Sequence, residues 1–302
     1  MKEAFATVGP GLDLCYATTG NPADTPLLLL MGLGGHLTWW DPALCEQIAA
    51  RGFYVIAFDN RDAGRSSHID APVSRQSILR AAIGDQTVAP YSLTDMADDA
   101  FGLLDHLGAE AAHVVGVSMG GMIAQTMAIS RPERVLSLVS IMSTTGRRTV
   151  GWLDARLLPR LAAPRQRSRD DYISAAERFW SLIDSPDYRI DRDRLRDRAG
   201  RTWDRGVSSA GVTRQLLAIL TAPDRTAALA KLDMPTTVVH GSADRLVHVS
   251  GGRATAAAIP GAELIVIPGM GHDLPPQIWP ELVEGITRTT TRATRRPSLT
   301  PR

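Results

Sequence analysis

The chain has 302 residues, 44% of them apolar and 22% charged, enough to bury a sizeable core, and 33 basic against 32 acidic side chains leave a formal charge of +1. That balance argues against a globally basic nucleic-acid binder, and no apolar run, 27–31 included, is long enough to span a bilayer. Cys15 and Cys45 lack C-x-x-C spacing, so neither a disulfide framework nor a metal site is implied, and without an apolar signal-peptide segment near Met1 a cytoplasmic protein is expected.

In chain order, the segments 5–8 and 12–18 read as a hairpin around Gly9-Pro10-Gly11, which places antiparallel strands at one edge. Strand-like apolar runs follow at 27–31, 53–58, 112–117, 135–142, 236–240 and 262–267, alternating with helical patterns, and that alternation predicts a mostly parallel sheet flanked by helices. The clearest helix spans 92–107. Ser92 and Asp95 form a capping-box start, Leu93, Met96, Ala100, Leu104 and Leu107 a stripe, and Gly108 a stop.

The strand rhythm stops after Met142 and resumes at Thr236. Between about 145 and 222 the sequence is helical, arginine-rich, interrupted by Pro159, Pro164 and Pro186, and carries Trp152, Trp180 and Trp203. It reads as a helical cap inserted over the carboxyl edge of the sheet, where open α/β sheets place their ligands. The expected organisation is thus a core of 1–144 and 223–286, a cap of 145–222, and a basic, low-complexity tail of 287–302 that is disordered rather than a nucleic-acid arm.

Gly116-Val117-Ser118-Met119-Gly120 carries the chemistry, because an apolar strand precedes it and a helix-like stretch follows. A serine at such a sharp strand-to-helix turn sits on strained backbone, and the flanking glycines remove side chains that would collide there. A serine hydroxyl is a poor nucleophile, so it needs a general base, and the base needs an orienting carboxylate. Asp244 follows the 236–240 strand and His272 follows the last strand, which gives the order serine, acid, histidine. His240 and His248 are the serious rivals to His272; His36, His68, His106 and His113 have bland structural readings. Asp59 and Asp62 also stand at a strand end, but the pattern Asp-x-Arg-x-x-Gly-x-Ser around them reads as a loop held by hydrogen bonds between its acidic and arginine side chains.

With these motifs the chain resembles the α/β-hydrolase superfamily over nearly its whole length, and within it the aclacinomycin methylesterase group. The resemblance rests on Met31-Gly32-Leu33-Gly34, on the loop from Asp59 to Ser66, on the Ser118 elbow, and on Gly269-Met270-Gly271-His272-Asp273-Leu274-Pro275. It implies the α/β-hydrolase fold and a carboxylic-ester hydrolase with no metal and no cofactor, acting on a small-molecule ester. Backbone N–H groups of Leu33 and Met119 are the expected oxyanion donors. Many relatives carry a histidine where Met31 stands, which removes one hydrogen-bonding side chain beneath the loop. Trp39, Trp40, Met142, Trp152, Trp180, Trp203 and Met270 are candidates to line an apolar pocket.

The expected reaction is attack by Ser118 on an ester carbonyl, with His272 as base and then acid and Asp244 ionised throughout; a bulky polyketide-like methyl ester is the finer expectation. A carbon–carbon bond hydrolase, an acyltransferase or a cofactor-free perhydrolase on the same triad, or a binding protein that has kept the triad, are the alternatives.

Overall fold

Runs of Leu, Val and Ile with turn residues between them build one eight-stranded sheet in this computed structural model, which describes residues 2–157, 168–188 and 191–294. The strands are β1 (Glu3–Gly9), β2 (Leu12–Thr19), β3 (Thr25–Leu30), β4 (Phe53–Phe58), β5 (Ala112–Val117), β6 (Val135–Ile141), β7 (Thr236–Gly241) and β8 (Glu263–Ile267), in the spatial order 1-2-4-3-5-6-7-8. The β1–β2 hairpin is antiparallel and β2 joins β4 antiparallel, while every pairing from β4 to β8 is parallel. Burial on both faces explains why β5 and β7 are buried at every position and show no alternation.

Helices cover the two faces, while α2 (Arg75–Ala82) lies against the inserted helix Ser209–Leu220. On one, α3 (Leu93–His106) and α4 (Met119–Ser130) pack Met96, Phe101, Leu104 and Ile123 against β3 and β5; the expected Ser92–Asp95 capping box is present at the start of α3. On the other, α1 (Pro42–Ala49) and a C-terminal helix, Trp279–Thr294, bury Leu44, Ile48, Leu282 and Ile286 with Trp40, Met142 and Met270. That last helix corrects the expectation of a disordered tail from residue 287. Thr287 and Thr289 return their hydroxyls to carbonyls four residues back, and Thr289 Oγ1 also meets Thr237 Oγ1 at 2.5 Å. A threonine-rich run can therefore be buried against a sheet at little polar cost. Residues 295–302 lie outside the described residues, as do Pro159 and Pro164.

Between β6 and β7 the chain forms α5 (Arg169–Ile183), α6 (Arg192–Asp204), α7 (Ser209–Leu220) and the short Thr226–Leu229 helix. Side chains of Ser168, Asp191 and Ser208 cap the first three. The inserted region is fastened to the core through carboxylates of the 59–62 loop. Arg205, just after α6, contacts Asp59 and Glu3, and Arg214 of α7 grips Asp62 with both arms of its guanidinium, at 2.8 and 2.6 Å. Tyr91 Oη and the Ile69 N–H also donate to Asp62. Burial pushes the Asp62 carboxyl up, but Arg214, Tyr91 and Ile69 together outweigh it and hold Asp62 below the usual carboxylate range.

Asp62→Asn leaves a buried guanidinium without its partner, so we expect a loss of about 3–5 kcal/mol of stability near neutral pH. Because the folded-state carboxyl is depressed, this contribution is full above the ordinary carboxylate range and fades as pH falls through the lowered value. Thermal unfolding of wild type and variant between pH 8 and pH 3 checks it. A deficit that does not shrink toward acid pH would contradict the assignment.

Candidate active site

Ser118 stands between β5 and α4 at φ 56° and ψ −119°, a left-handed backbone that a side chain rarely adopts. The neighbouring sequence makes that turn possible. A Cβ on Gly116 would run into the Gly120 backbone, and one on Gly120 would run into the carbonyl of Leu30 at the end of β3. With both side chains absent, the elbow closes tightly and Ser118 is left only partly buried at the carboxyl edge of the sheet.

Two loops bring the acid and the histidine to it. His272 Nε2 is 3.0 Å from Ser118 Oγ, and His272 Nδ1 is 2.7 Å from Asp244 Oδ2. With Nδ1–H donated to the carboxylate, Nε2 is the lone-pair acceptor facing the serine hydroxyl. Asp244 accepts in addition the N–H groups of Leu246 and Val247 on Oδ1, each at 2.9 Å. His240 has its Nε2 2.8 Å from the Val247 carbonyl and 3.4 Å from Asp244 Oδ2, so the rival histidine lies behind the acid, away from the serine. Burial opposes charge on Asp244, but the His272 and His240 imidazoles outweigh it and hold the carboxyl well below the usual range. The two loops are also knitted to each other, Ala243 N–H to the Met270 carbonyl at 3.0 Å and Gly269 N–H to Ser242 Oγ at 2.9 Å.

The turn after β3 packs on the elbow: a Cβ on Gly32 would lie 3.1 Å from Ser118 Cβ and 3.6 Å from its Oγ. Leu33 follows Gly32 in this turn, and the Met119 N–H, the first of α4, has no acceptor within the helix. Asn60 Nδ2 holds the Met31 carbonyl at 3.0 Å, supplying beneath the loop a hydrogen bond that Met31 cannot. Asp59 and Asp62 are committed elsewhere. Asp59 accepts from Leu37 N–H at 2.6 Å and Arg65 N–H at 3.0 Å, a loop-holding use like that of Asp62.

The expected pocket residues divide. Trp39 and Trp180 meet edge to face with centroids 5.4 Å apart, Trp39 Nε1 donates to Thr202 Oγ1 at 2.9 Å, and the Arg198 guanidinium lies over both rings at 5.3 and 4.5 Å. Trp203 packs on Tyr172 within the inserted helices. Three others are corrected. Trp40, Met142 and Met270 are at most 1% exposed and belong to the core under the sheet, because apolar side chains following a strand end turn inward as readily as outward; Trp152 is 51% exposed and stacks on His248 at 4.0 Å.

Three contributors escaped the sequence reading. The His272 N–H donates to the Ile183 carbonyl at the end of α5 at 2.7 Å, Ser185 Oγ accepts from Gly271 N–H at 2.9 Å, and Gln215 of α7 bonds the Gly34 N–H at 2.8 Å. Only three-dimensional contact reveals them, since a glutamine in a helical stretch or a main-chain carbonyl carries no sequence signal. Among the described residues no group of three or more His, Cys, Asp or Glu side chains is placed to hold a metal ion, and no helix is long and apolar enough to cross a membrane.

The strain at Ser118 yields a stability prediction. Glycine adopts positive φ freely and alanine does not, so Ser118→Gly should unfold at higher temperature than Ser118→Ala by the equivalent of about 1 kcal/mol, although both lack the hydroxyl. Calorimetry on the two variants tests this; an alanine variant as stable as the glycine one would mean the elbow is unstrained.

A family profile described as the alpha/beta hydrolase fold matches residues 25–276. The chain is 29% identical over 300 residues to a rhodomycin D methylesterase of Streptomyces sp. (strain C5), covering 91% of this chain and 94% of that one. It is likewise 29% identical over 298 residues to the rhodomycin D methylesterase of Streptomyces peucetius, with the same coverage of both. Among solved structures, a thermophilic esterase from Thermogutta terrifontis superposes with a TM-score of 0.71 at 23% identity, covering 97% of this chain and 99% of that one, which is a likeness of fold.

Proposed function

The chain belongs to the α/β-hydrolase fold family, and within it we propose a cofactor-free serine hydrolase of carboxylic esters whose catalytic residues are Ser118, His272 and Asp244. The observation that carries this reading is the continuous line from Asp244 through His272 to Ser118 at 2.7 and 3.0 Å, ending on a serine held at positive φ. Ser118 Oγ adds to the ester carbonyl as His272 Nε2 takes its proton. The oxygen that becomes negative is met by the Leu33 and Met119 N–H groups, where preorganised donors act without reorganisation. Collapse breaks the bond to the alkoxy group, which leaves as the alcohol with the proton from His272. Water then adds to the acyl-serine by the same steps in reverse roles, and the acid departs. Asp244 stays ionised, stabilising the imidazolium without taking its proton.

The finer reading is a methylesterase of a bulky, flat, polyketide-like acid. Two supports carry it: the 29% identity over nearly full length to proteins named rhodomycin D methylesterase, and the Trp39–Trp180–Arg198 group beside the oxyanion loop. Burial lowers the basicity of the Arg198 guanidinium to about 10, its charge remains, and it suits the face of an electron-rich aromatic ring.

A fluorophosphonate probe should label wild type and not Ser118→Ala, and that variant should lose at least about 10³-fold in ester turnover while staying folded. Asp244→Asn should lose a comparable factor through the wrong imidazole tautomer. An Asp244→Asn enzyme as active as wild type would overturn the assignment of the acid.

For specificity, Trp39→Ala and Trp180→Ala should raise KM about 10-fold or more for the methyl ester of a polycyclic acid, and less for a small acetate ester, in line with the roughly 1.5–3 kcal/mol of a buried apolar side chain. Trp152→Ala should change neither by more than about twofold, being exposed. Equal proportional losses on both esters in the first two variants would mean these rings only hold the inserted helices together.

A further inference from the structure

Gln215 is fully buried, yet both ends of its amide are used on main chain of two different loops. Its Oε1 accepts the Gly34 N–H at 2.8 Å and its Nε2 donates to the Arg61 carbonyl at 2.7 Å. The neighbouring Arg214 grips Asp62, so α7 is fastened to the core at a second point that is separate from the Gln215 amide. The loop it reaches is held at two other points, the Met31 carbonyl by Asn60 and the Leu37 N–H by Asp59. Leu33 lies between the Asn60 and the Gln215 attachments. Gly35 N–H to the Gly32 carbonyl at 3.0 Å closes the turn of the loop itself, and at its middle, where Gly34 has φ 64°, the Gly34 N–H donated to Gln215 ties the Leu33–Gly34 peptide to the inserted helix. The adjoining peptide, which bears the Leu33 N–H, turns about the same Cα.

We propose that Gln215 is a positioning residue for the oxyanion loop: by holding the Gly34 N–H it keeps the Leu33 N–H aimed at the oxygen that becomes negative above Ser118. An inserted helix thereby takes part in transition-state stabilisation and does more than roof the site. This inference rests on the esterase reading above.

The test uses a small acetate ester, which keeps substrate contact with the inserted helices to a minimum. Gln215→Met keeps the length of the side chain and loses both hydrogen bonds. It should lower kcat about 10-fold or more, short of the 10²–10³-fold cost of deleting an oxyanion donor outright, with KM within about twofold. Affinity for a trifluoromethyl ketone, which forms a tetrahedral adduct, should fall by the same factor as kcat/KM. Arg214→Met, which loosens the same helix without touching the loop, should lower thermal stability yet leave kcat on this ester within about threefold. If Gln215→Met does not fold, Gln215→Asn, one methylene shorter, is read the same way. A wild-type kcat in the Gln215 variant, or an equal loss in both Gln215→Met and Arg214→Met, would overturn the proposal while leaving the esterase reading intact. A wild-type chain inert to the fluorophosphonate and to every ester would instead remove that reading and this inference with it.

Discussion

The backbone of Ser118 is the constraint on which the rest of the site depends. A positive φ on a non-glycine residue costs about 1–3 kcal/mol and persists only where the surroundings over-determine it. Here they do, because α4 starts so close to β5 and to the end of β3 that Gly116 and Gly120 leave no room for side chains. The same close approach places the turn after β3 against the nucleophile. The raised serine and the glycine loop beside it thus follow from one packing requirement.

The second theme is attachment. Three loops around the site are tied to the inserted region: the 59–62 loop through Arg205 and Arg214, the turn after β3 through Gln215, and the histidine loop through the Ile183 carbonyl and Ser185. This gives the arginine-rich stretch two physical meanings. Arg205 and Arg214 are turned inward, where a planar guanidinium satisfies a buried carboxylate in a way lysine does not. Arg169 with Asp204, Arg196 with Glu177 and Arg201 with Asp197 are exposed pairs that contribute little to stability.

Much of this was legible beforehand, and the reasons are physical. A parallel sheet announces itself by buried apolar runs, the capping box at Ser92 by two hydrogen-bonding side chains at fixed spacing, and the elbow by glycines whose absence of Cβ is the point of their being there. That Asp59 and Asp62 hold loops was readable from the pattern around them, but their partners were not: the side chains of Arg61 and Arg65 in that loop go to Asp99 and Glu3, and Arg205 and Arg214 of the inserted region take the two carboxylates. What failed was direction and burial. Nothing in sequence distinguishes Trp39, which faces Trp180, from Trp40, which turns into the core, since adjacent residues point to opposite sides. The threonines near the C-terminus read as polar although their hydroxyls return to their own helix. Gln215 was silent because its partners are main-chain atoms more than a hundred residues away in sequence.

The central claim is that an acyl group passes through Ser118, and trapping that intermediate tests it most directly. Wild-type protein mixed with an activated aromatic ester, quenched in acid within milliseconds and digested, should yield the peptide containing Ser118 heavier by the mass of the acyl group, together with a burst of released alcohol near one equivalent per chain. Steady turnover with no acylated Ser118 peptide and no burst, under conditions where deacylation is slowed, would contradict the account.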